Sequence, residues 1–238
     1  MLKIANAIGF IVTIIVNGAA NALPLNGVTT GELSDIYGNS FTPAGYVFSI
    51  WGVIYVLLAA FTYYQFTADD EELHQKIGWL FVASSFFNSI WIFLWHYMYV
   101  ALSLVAMFGL LACLILIYTR LEIGLIEVNQ RKRTMVHTTF SVYLGWITVA
   151  PIANVAALLV DLGWDAYNNT AIYITVAMIL IALVLTVVNT YIRGDVAYAA
   201  VIVWALGGII QKQMNTWLIP WVAGFSIIVI IAALALKK

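Results

Sequence analysis

The feature that most constrains the fold is a series of apolar stretches separated by short polar segments. A helix needs about 20 apolar residues to cross roughly 30 Å of hydrocarbon, where every backbone polar group must be satisfied internally. With 64% hydrophobic and 9% charged residues, the chain has too little polar surface for a water-soluble domain. We therefore predict an all-α polytopic membrane protein with eight spans. These cover residues 4–23, 45–67, 77–97, 100–119, 136–160, 171–192, 196–211 and 216–236.

The basic residues predict how these spans are oriented. The seventh stretch is the weakest span, because Val196 to Ile210 covers only about 22 Å at 1.5 Å per residue. If all eight stretches cross with the N-terminus inside, nine of the ten Lys and Arg residues are cytoplasmic, and only Lys212 is outside. Short-loop Lys and Arg favour the cytoplasm. We expect eight crossings and two cytoplasmic termini. A compact chain without a presequence favours the plasma membrane of a bacterium or archaeon.

The sequence offers no catalytic or metal-binding pattern. His74, His96 and His137 stand on different loops and helix ends, without metal-ligand spacing. The acidic residues also fall outside the predicted membrane centre, where a catalytic carboxylate would stand out. Nucleotide-loop, HExxH and GxSxG motifs are absent. We predict no catalytic residue, no metal site and no enzymatic activity, and the net charge of −1 indicates no nucleic-acid partner.

Aromatic and amide side chains recur at helical spacing on three of the predicted helices. An amide in hydrocarbon has polar groups that lipid does not satisfy, so Asn88 and Asn154 should face protein or a cavity. The aromatic residues that share their faces should then point inward as well. This pattern fits either a tightly packed core or an apolar pocket with a few polar anchors. The stripes are Phe48, Trp51 and Tyr55; Ser84, Asn88, Trp91 and Trp95; and Tyr143, Trp146, Ala150 and Asn154.

Three segments resemble a known family. FTPAGYVFSIWGVIYVLL, WLFVASSFFNSIWIFLW and VYLGWITVAPIANVAALL are similar to the second, third and fifth helices of the translocator protein family, also called tryptophan-rich sensory proteins or TspO/MBR. The resemblance covers roughly residues 4–165. It implies a five-helix membrane domain over residues 1–165, followed by a C-terminal extension of three helices over residues 166–238. One departure is Pro43-Ala44, where the family usually has a double proline.

The resemblance also implies a function. Members of the family bind flat hydrophobic ligands, notably porphyrins and haem, and sterols in animals, in a pocket that opens towards the first loop. Porphyrin or haem would be a ligand here, not a required cofactor, and residues 24–43 would form a lid. A photochemical breakdown of bound porphyrin is associated with the family. Carried over to this chain, the lining residues are Phe48, Trp51, Tyr55, Asn88, Trp91, Tyr143, Trp146 and Asn154.

Other classes of function stay open at this point. A transporter or permease that uses the full eight-helix bundle would show ligand-dependent flux in liposomes, although no intramembrane charge supports ion coupling. An assembly partner of another membrane protein would be captured with that protein from native membranes, and a homodimer is a further alternative. The expected partners are the lipid bilayer and a hydrophobic small molecule, and a ligand-binding or sensory protein is the favoured class.

Overall fold

The computed structural model describes residues 1–23 and 25–237, and these residues form helices and no strand. Pro24 of the predicted lid and the terminal Lys238 lie outside the described residues. Each of the eight predicted stretches forms a helix, which confirms the all-α fold. The helices are α1 Leu2–Ala22, α2 Thr30–Ile36, α3 Ile50–Thr67, α4 Glu71–Ile77, α5 Leu80–His96, α6 Val100–Arg120, α7 Gln130–Asp161, α8 Asn169–Arg193, α9 Val196–Lys212 and α10 Ile219–Leu236.

Length and composition support a multi-pass membrane protein. Within the described residues, six helices are long and apolar enough to cross a membrane: α1, α3 with its preceding 3₁₀ turn Gly45–Ser49, α6, α7, α8 and α10. The predicted third span, residues 77–97, corresponds to α5, and α4 precedes it at an angle of 48° around Gly78, which has a φ of 52°. Helix α9 has 17 residues and is shorter than the other candidates. Eight crossings therefore stay a prediction.

Helix α7 is the centre of the bundle, since it packs against α3, α6 and α9. Helix α1 packs on α3 and α5, whereas α8 and α10 pack on each other. Helix α9 joins the two groups, and Gly145 of α7 permits its close approach: a Cβ there would lie 3.1 Å from the Tyr198 carbonyl oxygen. Small residues allow such backbone contact in membranes. The last three helices are thus continuous with the bundle through α9.

The two ends of the bundle differ in charge. We call the end that carries α2 and Lys212 the lid end, and the end that carries Arg120, Arg133 and Arg193 the basic end. At the basic end, Asp70 caps α4 by accepting the Leu73 backbone N–H at 3.0 Å. The same carboxylate forms an ion pair with Lys132 of α7 at 2.9 Å. One member of the acidic run DDEE therefore connects α4 to α7.

Buried amides connect α1 to its neighbours. The Asn17 side chain donates to Asn88 Oδ1 of α5 at 2.7 Å, and the Asn6 side chain donates to Gln65 Oε1 of α3 at 2.7 Å. All four side chains are buried. Interhelical amide bonds of this kind hold membrane helices together where no hydrophobic effect acts between them. Asn88 accordingly has a packing role in the structure.

Candidate ligand-binding cavity

Aromatic side chains from α3, α5 and α7 converge near the lid end. The Trp51 ring lies parallel to the Trp91 ring, with centroids 6.0 Å apart and planes at 24°. It meets Trp146 edge to face at 6.3 Å, and Phe48 meets Trp146 in the same manner at 6.0 Å. Offset-stacked and edge-to-face pairs are favoured because the ring edge is positive and the ring face negative. These ring contacts hold the indoles in place along the wall of a cavity.

The cavity wall contains five of the eight residues that the resemblance implied. These are Phe48, Trp51, Trp91, Trp146 and Asn154. The other three, Tyr55, Asn88 and Tyr143, lie outside this wall. Tyr55 and Tyr143 contact the far side of Trp51, at ring distances of 5.8 Å and 6.1 Å.

Tyr55, Tyr143 and Asn88 lie outside the wall because of their depth along their helices. Tyr55 stands one turn beyond Trp51, away from the lid, and Tyr143 stands one turn before Trp146 on an antiparallel helix. Both therefore belong to the layer beneath the cavity. Asn88 is at the same depth and is held by Asn17. These residues support the wall from below and do not touch the cavity.

Asn154 is the polar anchor of the wall. Its Oδ1 accepts the Trp91 indole N–H at 3.2 Å, and its Nδ2 donates to Ser103 Oγ of α6 at 2.9 Å. The amide is 4% exposed and both of its ends are used, so its orientation is fixed. The indole N–H of Trp146 is also buried, and it has no hydrogen-bond partner among the described residues.

The first connection folds over the cavity as a lid, which we define as residues 25–47, so that it includes the start of the 3₁₀ turn leading into α3. Within it, α2 begins with a capping box: Thr29 Oγ1 accepts the Glu32 backbone N–H, and the Glu32 carboxylate accepts the Thr29 N–H at 2.7 Å. These bonds from Thr29 hold the pKa of Glu32 below its usual range. The cap fixes the start of the helix, whose inner side carries Thr30 and Ser34 in the cavity wall. Phe41 and Pro43 complete the roof.

His96, at the end of α5, fastens the first half of the lid. Its Nε2 lies 3.0 Å from Thr30 Oγ1, and its Nδ1 lies 3.1 Å from the Leu25 carbonyl oxygen. The Asn26 side chain donates in turn to the His96 carbonyl oxygen at 3.0 Å. The His96 side chain is completely buried. This histidine, interpreted from the sequence as an interfacial polar residue, holds the lid on α5.

Helix α9 holds the second half of the lid in place. The Ala44 N–H donates to the Gly208 carbonyl oxygen at 3.1 Å, and the Trp204 indole N–H donates to the Val47 carbonyl oxygen at 3.1 Å. Lys212 at the end of α9 forms an ion pair with Asp35 of α2. The family resemblance stopped before α9, so these contacts were not expected.

Several wall residues escaped the sequence interpretation. Ala205 and Ile209 of α9 line the cavity, as do Met107 of α6 and Trp95 of α5. Trp95 had a signal, since it continues the spacing of Asn88 and Trp91. The alanine and the isoleucine had none, because small and aliphatic residues are common on every membrane helix.

The cavity is small in this closed arrangement. Its volume is about 60 Å³. A single water molecule needs about 10–15 Å³ on this measure, so the space holds a few small groups and not a complete macrocycle. Among the described residues, the lid is the part of the cavity wall that belongs to a connection between spans and not to a span.

The fold and cavity together define a class of molecule: an all-helical, multi-pass membrane protein with an aromatic cavity beneath a structured lid. The family follows from a comparison with protein-family models. The model described as TSPO-like protein matches residues 3–236, and the chain belongs to this family. The match continues through α8, α9 and α10, beyond the three motifs that first showed the resemblance. No curated protein and no solved structure matches the chain significantly.

Proposed function

We propose that the chain binds a flat hydrophobic ligand of the tetrapyrrole class, such as a porphyrin or haem, in the cavity beneath the lid. The observation that carries the proposal is the cavity wall, in which four indoles and two phenyl rings surround a space with a fixed amide at its side: Trp51, Trp91, Trp95, Trp146, Phe41, Phe48 and Asn154.

The chemistry of the wall matches a flat aromatic guest. Trp51, Trp91 and Trp95 form a series of near-parallel rings, with centroids 6.0 Å and 6.5 Å apart along the series. Parallel indoles present broad faces on which a macrocycle stacks, and Trp146 presents an edge. The buried N–H of Trp146, which has no partner among the described residues, and the second N–H of the Asn154 amide are polar groups that can orient the guest.

The lid decides when such a ligand enters. Because the closed cavity holds about 60 Å³, binding of a tetrapyrrole requires the lid to leave its bonds with His96 and Gly208. The measured affinity for a large ligand is then reduced by the fraction of protein whose lid is open. A small aromatic ligand would enter without this cost. The site thus couples the presence of a large hydrophobic ligand to the position of an extramembrane segment, as a sensory or regulatory protein requires.

Fluorescence tests the proposal. Protoporphyrin IX added to the protein in detergent should quench Trp emission in a saturable manner. Trp146→Leu removes one wall indole and should weaken binding about tenfold, since stacking and orientation are lost together. Trp221→Leu is the matched control, because Trp221 is 78% exposed on α10 and is far from the cavity wall.

Two results would overturn the proposal. The first is quenching that rises linearly with porphyrin and never saturates, as partition into the micelle produces. The second is equal binding by Trp146→Leu, Trp221→Leu and the unchanged protein, which would place the porphyrin somewhere other than the cavity.

A further inference from the structure

A second feature lies on the opposite side of the bundle, where α8 leaves a groove beside α6 and α7. Helix α8 packs mainly on α10, so its other side does not close against α6. The groove has a volume of about 440 Å³. Its middle is aliphatic and aromatic, with Phe108 and Ile115 of α6 facing Ile181, Leu185 and Val188 of α8.

The groove changes character towards the basic end. It finishes at Tyr118, Asn189 and Arg193. From Ile181 to Arg193 the axis of α8 advances about 18 Å at 1.5 Å per residue. One leaflet of the hydrocarbon core is about half of 30 Å. The whole groove, including its polar end, is therefore about as long as one leaflet, and its apolar section from Ile181 to Val188 covers about 10 Å of that length.

Arg193 lies at this end of the groove, and most of its guanidinium N–H groups make no hydrogen bond to the described residues. Its guanidinium lies over the Tyr118 ring at 4.8 Å, and Nη1 donates to the Ile123 carbonyl oxygen at 2.8 Å. A guanidinium has five N–H donors, and this is the one side-chain hydrogen bond that it makes to the described residues. Within the same residues it has no carboxylate partner. Four donors of a held cation thus remain at the mouth of the groove.

Arg193 also borders a polar cavity of about 640 Å³ at the basic end. Arg133 lines this cavity, and it too has no carboxylate partner among the described residues. His137, 6% exposed, is in the same wall, and its Nε2 has no hydrogen-bond partner there. The π-helical turn Arg133–His137 shapes this wall, and such turns are frequent at functional sites.

Two carboxylates border the same cavity. Asp195 is already satisfied: its Oδ2 accepts the Tyr118 hydroxyl at 2.7 Å, and its Oδ1 accepts the Tyr198 N–H at 3.1 Å. Glu127 is exposed at the rim, where water screens it. Neutral donors thus occupy both Asp195 oxygens, and Glu127 is in water, so the free hydrogen-bond donors nearest the groove are those of Arg193 and Arg133, which suit a phosphate.

We propose that this groove binds one anionic phospholipid, with an acyl chain along α6 and α8 and its phosphodiester on Arg193 and Arg133. Guanidinium groups suit phosphate because they present several N–H donors in a fixed plane. Basic pockets between membrane helices commonly hold lipid headgroups in this way. The site is distinct from the aromatic cavity and does not depend on its ligand.

Native mass spectrometry of the full chain tests the proposal. The protein is released from mixed micelles of phosphatidylglycerol and phosphatidylcholine, and the retained lipids are counted. We expect one phosphatidylglycerol per chain. The double variant Arg133→Gln, Arg193→Gln should lower this retention about tenfold, because both charge-assisted contacts are lost. Arg131→Gln is the matched control, since Arg131 contacts Thr67 and the Tyr64 ring and lies outside the cavity.

A second pair of variants tests the apolar part of the groove, where the acyl chain is proposed to lie. Leu185→Trp fills the groove and should reduce lipid retention although both arginines remain. Val184→Trp, at a 60% exposed neighbour outside the groove, should not. This pair keeps the proposal testable if Arg193→Gln impairs folding. Equal retention by Leu185→Trp and Val184→Trp would overturn the proposal, as would equal retention of phosphatidylcholine. Displacement of the lipid by millimolar glycerol phosphate would show a soluble phosphate site instead.

Discussion

Gly208 controls how closely the lid approaches α9. A Cβ at this position would lie 2.1 Å from Val47 Cγ2 and 3.1 Å from Pro43 Cβ. Val47 is completely buried, and a β-branched side chain has few alternative rotamers, so the methyl group has no free space to enter. Gly208→Ala should therefore push the end of the lid away from α9 and stretch the hydrogen bond from Ala44 to the Gly208 carbonyl.

The size of the effect follows from this geometry. Carbon atoms in contact prefer a separation of about 3.5–4.0 Å, so the lid end must move by roughly 1.5 Å. Overpacking of this kind typically costs about 1–3 kcal/mol. If the cost falls on the closed state alone, the open fraction rises by about 5- to 150-fold, since each 1.4 kcal/mol is a factor of ten.

Thiol labelling measures the open fraction. Ala153, half-buried in the cavity wall, is replaced by cysteine, and the rate of reaction with a water-soluble maleimide is recorded. The natural Cys113 is buried and gives the background rate. When the lid opens and closes faster than the reagent reacts, the labelling rate is proportional to the open population. Gly208→Ala should accelerate labelling about 5- to 150-fold.

The neighbouring glycine supplies the control. A Cβ at Gly207 would meet nothing within 4 Å, yet Gly207→Ala brings the same gain in helix propensity of about 1 kcal/mol. Any difference between the two variants is then due to contact with the lid. If Gly208→Ala labels no faster than Gly207→Ala, the lid does not open as a unit against α9 and the reasoning fails.

Three further predictions follow. Thr29→Ala removes the N-cap of the lid helix at a cost of about 1 kcal/mol and should speed the same labelling about fivefold, whereas Thr29→Ser should not. A double-mutant cycle of Asn17→Leu and Asn88→Leu in steric-trap unfolding should give a coupling of about 0.6–1.7 kcal/mol, and a value of zero would deny the helix-joining role. Burial tends to raise the pKa of Asp70, but hydrogen bonds led by the one from Lys132 outweigh this effect and hold the pKa of that carboxyl below its ordinary value of 3.8. Its stabilisation is then complete above the unfolded pKa and lost as pH falls through the lower folded value, so thermal stability between pH 5 and 3 should depend on pH less in Asp70→Asn.

The sequence predicted the helices well because the length of an apolar run is a local property. The ends of α6 and α8 agree with the predicted spans within about two residues, the usual uncertainty of helix boundaries. Two elements differ for physical reasons. Helix α7 begins at Gln130, six residues before the predicted span, because polar and basic residues continue a helix into water. The additional helix α4 precedes the third span and is set at an angle to it, because Gly78 between them adopts a positive φ.

The site was predicted in part. Trp51, Trp91 and Trp146 carried a periodic signal that placed them on inward faces, and the structure brings them around one cavity. Tyr55 and Tyr143 carried the same signal but belong to the layer beneath. The spacing of residues predicts which face of a helix they share. It does not predict the depth in the membrane at which neighbouring helices separate and leave a cavity. Depth depends on how helices tilt and cross, which requires the packed bundle.

The sequence by itself determined that this chain is a membrane protein, that it is helical, and that the indoles and amides of the three stripes face inward. Each of these follows from solvation, which acts on every residue separately. Only the tertiary structure decided that the lid is held between α5 and α9, and that Ala205 and Ile209 complete the cavity wall. The physical reason is that close packing selects partners by shape. The importance of Gly208, for example, depends on which atoms of neighbouring residues occupy the space next to its Cα.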